Sequence, residues 1–170
     1  MMLGSVPIEP SDGGGVDITL PRELRSFLKD LSGRFRELLN SEEAADDAAV
    51  ARLAPTAYPD DPLRNLEFDD AAGRSLAEGR LRALEVVERT ADAEHLTNEE
   101  AEAWMRALND ARLVFGTRLE IVEEDDVEAL ARDPAKAETL AVYLALTELV
   151  GMLVEALGEP AGDEDEPPGG

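Results

Sequence analysis

The sequence predicts an all-α fold: one helical bundle of about four to six helices, with a short N-terminal strand or extended segment. Three observations predict it. Apolar residues recur at helical spacing over four long stretches, near 21–40, 63–90, 98–122 and 134–157. Apolar residues make up 44% of the chain and aromatics only 4%, so the core is built from Leu, Val and Ala, of which Leu and Ala are the strongest helix formers. Helix-start signals fall where the periodic stretches begin: Pro21, Thr97-Asn98-Glu99-Glu100 and Asp133-Pro134. A chain of 170 residues fits one domain, expected over 16–157, between a flexible lead at 1–15 and a disordered acidic tail at 158–170.

The lead is rich in Pro and Gly and ends in Gly13-Gly14-Gly15. Val16-Asp17-Ile18-Thr19-Leu20 alternates with period two, which suggests a short strand. Residues 3–8 are the segment able to pair with it across the glycines, with Pro7 restricting that pairing to an edge. Leu24, Phe27, Leu28, Leu31, Phe35, Leu38 and Leu39 then give an amphipathic helix from about 21 to 40, ended by Asn40-Ser41. Ser41–Ala51 reads as a solvated linker or a short frayed helix. Pro55, Pro59 and Pro62 each lack an N–H and restrain the residue before them, so 52–62 is a shaped loop. The helical pattern resumes near Leu63 and runs to about Thr90. Thr97 and Glu100 form a capping box for the helix that carries Trp104, the only tryptophan. Asp126–Ala131 adds one or two turns, and the last helix, 134–157, is apolar nearly all round. Such a helix belongs at the centre of the domain or at a contact between two copies.

The formal charge of −23 narrows the partners. It repels a phosphate backbone and an anionic membrane surface, so neither nucleic acid nor membrane is expected. A neutral or basic protein partner is the electrostatically easier one. With no cysteine there is no disulfide and no thiolate nucleophile or metal ligand. Met1–Ser5 carries neither the charge nor the apolar run of a secretory leader, and Glu148 and Glu155 inside the last apolar stretch argue against a membrane span. A cytoplasmic location is the expectation.

Polar residues set into the Trp104 helix are the main candidates for a site. On a helical projection Trp104, Leu108, Ala111, Phe115, Leu119 and Val122 share a face, with Arg112 on that side and Asn109 at its border. An arginine there needs a carboxylate, for which Asp60, Asp61 and Glu67 are the candidates. Arg112 then either clamps the proline-rich loop to the helix or lines a polar site for a ligand or a partner. Asp60, Asp61, Glu67, Asp69, Asp70 and Asp110 are also able to supply an oxygen-rich cation site, although in a chain with 39 acids such groupings arise by chance. His95, the single histidine, falls in an expected surface loop, and no phosphate-binding loop, dinucleotide turn or nucleophile elbow occurs. No cofactor and no catalytic residue is expected.

Two stretches carry a family resemblance. One is Arg52-Leu53-x-Pro55-x-Ala57-Tyr58-x-Asp60-Asp61 followed by Glu67-Phe68. The other is Trp104-x-x-x-Leu108-Asn109-Asp110-x-Arg112-Leu113-x-x-Gly116-x-Arg118-Leu119. Over about 16–157 the chain resembles a family of actinobacterial proteins classed as a domain of unknown function. The resemblance implies a helical cytoplasmic protein whose gene often neighbours that of the ClpS-type adaptor of the Clp protease. Asp69-Asp70 stands where relatives carry basic residues.

Taken together, a non-enzymatic protein-binding or regulatory module is expected, connected with Clp-dependent proteolysis. Its clamp or partner surface would use Tyr58, Asp60, Asp61, Glu67, Asn109, Asp110, Arg112 and Arg118. The alternatives are an enzyme or accessory with a carboxylate-rich, metal-binding pocket near Tyr58, Asp60, Asp61 and Asp110, and a structural homodimer formed through the 134–157 helix.

Overall fold

The computed structural model describes residues 8–42, 47–51, 53 and 77–158. They form a mostly helical domain with a small three-stranded sheet. Strand β1 (Ile8–Pro10) pairs antiparallel with β2 (Val16–Ile18), Ile8 opposite Ile18 and Pro10 opposite Val16. On its other edge β2 pairs with β3 (His95–Leu96), Val16 opposite Leu96. β1 and the turn after it lie within residues 1–15, the stretch expected to be a flexible lead. β1 lies at the edge of the sheet, where Pro10 costs no ladder bond. Period-two alternation sends Val16, Ile18 and Leu96 into the core, while Asp17 and His95 face outward.

The glycines make the turn between β1 and β2. Ser11 N–H donates to Gly15 O at 3.0 Å and Gly14 N–H to Ser11 O at 3.1 Å. Gly14 and Gly15 adopt φ of +93° and +77°, the region that favours glycine. A Cβ on Gly15 would lie 2.1 Å from the Leu96 carbonyl oxygen, so β3 leaves room for hydrogen alone. Gly15 N–H meets Asn98 Oδ1 at 3.2 Å, which fastens the turn to the helix that follows β3.

Six helical segments complete the described fold: α1 (Arg22–Asn40), the single turn α2 (Ala48–Ala51), α3 (77–90), α4 (Asn98–Arg118), α5 (Glu124–Ala131) and α6 (Ala137–Gly158). The part of α3 expected from 63 to 76 lies outside the described residues. The capping box predicted at Thr97 forms: Glu100 N–H donates to Thr97 Oγ1 at 3.2 Å, and Thr97 N–H to Glu100 Oε2 at 2.9 Å. α6 starts at Ala137 and not at Pro134, because Asp133 accepts Ala135 N–H and Lys136 N–H in a turn of its own.

α4 and α6 are the central packed pair. Trp104, Leu108, Leu146, Leu149 and Leu153 are fully buried between them and the sheet. Their close approach depends on Gly116, whose added Cβ would come 3.1 Å from the Tyr143 ring. α6 is the described helix long and apolar enough to cross a membrane, with a mean hydropathy of 1.8. Here one face of it packs against α4, β1 and α5, while Leu144, Glu148, Val154 and Glu155 face outward. A smaller cluster of Leu119, Leu130 and Leu140 seats α5 against α6.

The buried face of α4 is turned from the one expected. It runs through Ala101, Trp104, Ala107, Leu108, Ala111 and Val114, with Phe115 only half-buried. Val122 lies past the helix end and is 87% exposed. α4 stops after Arg118 because Glu120 takes φ +57°, which lets Ile121 N–H donate to Gly116 O and Glu120 N–H to Thr117 O.

Candidate functional site

Two features of the described residues bear on function: a polar seam along α4, and an apolar groove between α1 and the α4/α6 pair. The seam comes first, because the residues singled out from the sequence lie on it. Asn109, Asp110, Arg112 and Arg118 all project from α4. Tyr58, Asp60, Asp61 and Glu67 lie outside the described residues.

Arg112 is half-buried, not fully inside the core. Among the described residues its guanidinium meets Asn109 Oδ1, with Nη2 at 2.8 Å and Nε at 3.3 Å. Both groups sit on one helix three residues apart, so this contact, the one shown among the described residues, lies within a single element. Among the described residues an arginine that holds the start of the proline-rich segment is Arg80, from α3. Its Nη2 donates to Leu53 O, and its Nε lies 3.3 Å from Asp110 Oδ2. Arg80 thus ties α3, α4 and the segment after α2 together, with Asp110 as the acid. Burial pushes the Asp110 carboxyl above its ordinary range, and the Arg80 guanidinium opposes that shift.

Eight residues further along α4, Arg118 Nη2 meets Asp47 Oδ2 at 2.8 Å. Asp47 also accepts the N–H of Ala49 at 2.9 Å and of Val50 at 3.4 Å, so it starts α2. The Arg118 hydrogen bond, with these backbone donors, holds the Asp47 carboxyl below the usual range. Asp110 and Arg118 therefore pin the two ends of the 47–53 segment to α4.

Three further polar contacts went unmarked in the sequence. Trp104 Nε1 donates to Thr90 Oγ1 at 2.7 Å, and Thr90 donates on to Val86 O at 2.6 Å, a buried chain joining α4 to the end of α3. Arg25 caps that end, its Nη1 reaching Ala91 O at 2.9 Å and Ala93 O at 2.8 Å. His95, expected in a loop, sits in β3 on the surface with Nδ1 2.9 Å from Asp17 Oδ1.

The groove arises because the apolar stripe of α1 is wider than the face it buries. Leu24, Leu28, Ser32 and Phe35 are buried, while Phe27, Leu31 and Leu38 are only half-covered. Across from them stand Phe115 of α4 and Val142 of α6, also half-covered. The backbone of α1 stands off from α4 and α6, and the gap holds about 500 Å³. It continues along α6 into a second hollow of about 240 Å³ that shares Phe27, Glu138 and Val142. The two hollows differ in charge. Glu23 and Glu138 line the second hollow, whereas the first is lined by both signs, Asp30 and Glu138 with Arg34 and Arg118. No three His, Asp or Glu side chains among the described residues are placed to hold a metal ion.

A mostly helical domain, closed by a small antiparallel sheet and bearing an open apolar groove, is the class of protein these elements define. The chain belongs to the family described as a domain of unknown function (DUF2017), whose family model matches residues 7–157. The match begins one residue before β1 and ends within the last turn of α6. No curated protein and no solved structure matches the chain.

Proposed function

We propose that this chain is a non-enzymatic protein-binding module whose partner surface is the groove between α1 and the α4/α6 pair. The observation that carries this is the surplus apolar stripe of α1: Phe27, Leu31 and Leu38 face Phe115 and Val142 across an open gap. A contiguous, half-covered apolar strip rimmed by charge is the kind of surface that partners cover. Two of the polar residues singled out in the sequence support the same reading, because they are spent on architecture: Asp110 on Arg80 and Arg118 on Asp47. Arg118, one of the residues singled out in the sequence, also lines the groove.

The charge favours a different protein over a second copy. A symmetric contact through the outer face of α6 would bury exposed Leu144 and Val154, but would also bring Glu148 and Glu155 toward their counterparts on a chain of charge −23. The same charge opposes nucleic acid. The protein acts in the cytoplasm on this proposal, and the gene neighbourhood that the resemblance implies makes a Clp adaptor the first partner to try. Wild type, Phe27→Asp and, as a surface control on α4, Leu113→Asp are to be compared as baits for that partner, with folding checked by circular dichroism. Recovery by wild type and Leu113→Asp, but not by Phe27→Asp, is expected. Equal recovery by all three would remove the groove from the proposal.

A further inference from the structure

We infer that the groove takes an amphipathic helix whose flanking side chains are basic, a refinement that rests on the protein-binding proposal above. The shape of the groove specifies a helix. Its α1 wall is built at helical spacing, Phe27, Leu31 and Leu38 lying on one stripe, and the facing wall is made by Phe115 of α4 and Val142 of α6. An apolar strip between helical walls matches a further helix, whose side chains at i, i+3, i+4 and i+7 interdigitate with both walls. From Leu24 to Leu38 the α1 wall is 14 residues long, which at ~1.5 Å per residue is about 21 Å, or four turns of a partner helix.

The rim specifies the charge. Glu23 and Glu138 are the charged groups of the second hollow, and Asp30 and Glu138 continue the acidic edge into the first. Of the two cations on the rim, Arg118 already meets Asp47 at 2.8 Å. A lysine or arginine on the partner beside Glu23 and Glu138 therefore gains a counter-ion, and a glutamate there meets like charge. The net charge of −23 adds long-range attraction for a basic segment and repulsion for an acidic one.

Two 15-residue helical peptides test this, with the same leucines on one face and either lysine or glutamate on the polar face. Each is titrated against the full chain by fluorescence anisotropy at low and at physiological salt. The lysine peptide is expected to bind at least about tenfold more tightly than the glutamate peptide, and to weaken with salt. Combined Glu23→Lys and Glu138→Lys substitution should abolish or reverse that preference, and Phe27→Asp should abolish binding. As the chain has no cysteine, Leu31→Cys supplies a unique thiol. The lysine peptide should slow its labelling and leave that of Leu113→Cys unchanged, a readout that stands even where Phe27→Asp fails to fold.

Binding of both peptides within twofold of each other would overturn the inference. So would lysine-peptide binding that ignores the Glu23 and Glu138 reversals, or a position-31 thiol already shielded in the chain alone. If neither peptide binds while partner capture still depends on Phe27, the protein-binding proposal stands and the basic helix falls. Loss of Phe27-dependent capture would instead remove the proposal itself.

Discussion

Arg80→Met should destabilise the fold far more than Arg112→Met, although only Arg112 is marked out in the sequence. Methionine keeps the aliphatic stem and removes the charge. At position 80 the loss comprises a charge-assisted hydrogen bond to Leu53 O and the 3.3 Å ion pair with Asp110. Hydrogen bonds to charged groups contribute ~1.5–3 kcal/mol each, and breaking a fully buried pair costs ~3–5 kcal/mol. The Arg80 and Asp110 side chains retain 22% and 18% exposure, so water recovers part of that. A loss of about 2–3 kcal/mol follows, which for a domain of this size is a fall of about 4–12 °C in Tm. Among the described residues Arg112→Met removes a contact to Asn109 within one helix, and on that contact it should cost under ~1 kcal/mol.

The pH dependence of the difference carries a sign. Without Arg80 the Asp110 carboxyl, already raised by burial, rises further. An acid whose pKa is raised in the folded state destabilises above that pKa, so the deficit of Arg80→Met should be largest at neutral pH. It should shrink as pH falls through the folded pKa of Asp110. Urea titration of wild type and both variants at pH 7 and pH 5 measures all of this. Arg80→Met within ~0.5 kcal/mol of wild type, or less damaging than Arg112→Met, would refute the three-way tie at Arg80.

Other consequences are as direct. Thr90→Val leaves the fully buried Trp104 indole N–H without its 2.7 Å acceptor and should cost ~1–3 kcal/mol by thermal or urea unfolding; a neutral result would contradict that hydrogen bond. Glu120→Gly relieves the φ of +57° that ends α4 and should raise stability by up to ~1 kcal/mol, read as a higher urea midpoint. Asp47, Asp92 and Asp126 are depressed by a hydrogen bond from Arg118, a hydrogen bond from Lys29 and backbone N–H groups respectively. Lowered acids stabilise above their unfolded values, so wild type should lose stability as pH falls through their folded values, below about pH 4. Asp47→Asn should flatten that acid limb.

Much of the helical framework was legible in the sequence because its signals are local. The periodicity of α1, the Thr97–Glu100 capping box and the uniform hydropathy of α6 each lie within a single element. The alternation at 16–20 marked β2, but β3 is two residues long and has no period to detect. Gly13–Gly15 suggested slackness, whereas a tight turn with two positive φ angles is what those residues build. Arg112 drew attention as an arginine beside an apolar face, yet a modest rotation of α4 brings it to the half-exposed border. Nothing near Arg80 distinguishes it from other arginines on the same helix, since its partners Leu53 and Asp110 are distant in the chain. The groove was half-legible. The breadth of the α1 stripe was visible, but how little of it the core would cover depends on where α4 and α6 stand.

The most direct test of the groove as a partner surface is the thiol-labelling rate of Leu31→Cys relative to Leu113→Cys, in the free chain and again with the captured partner. The account predicts measurable labelling at half-covered position 31 in the free chain, slower than at exposed position 113, and a further slowing confined to position 31 on binding. A position-31 thiol that does not label in the free chain, or a rate at position 31 that the partner leaves unchanged, would contradict it.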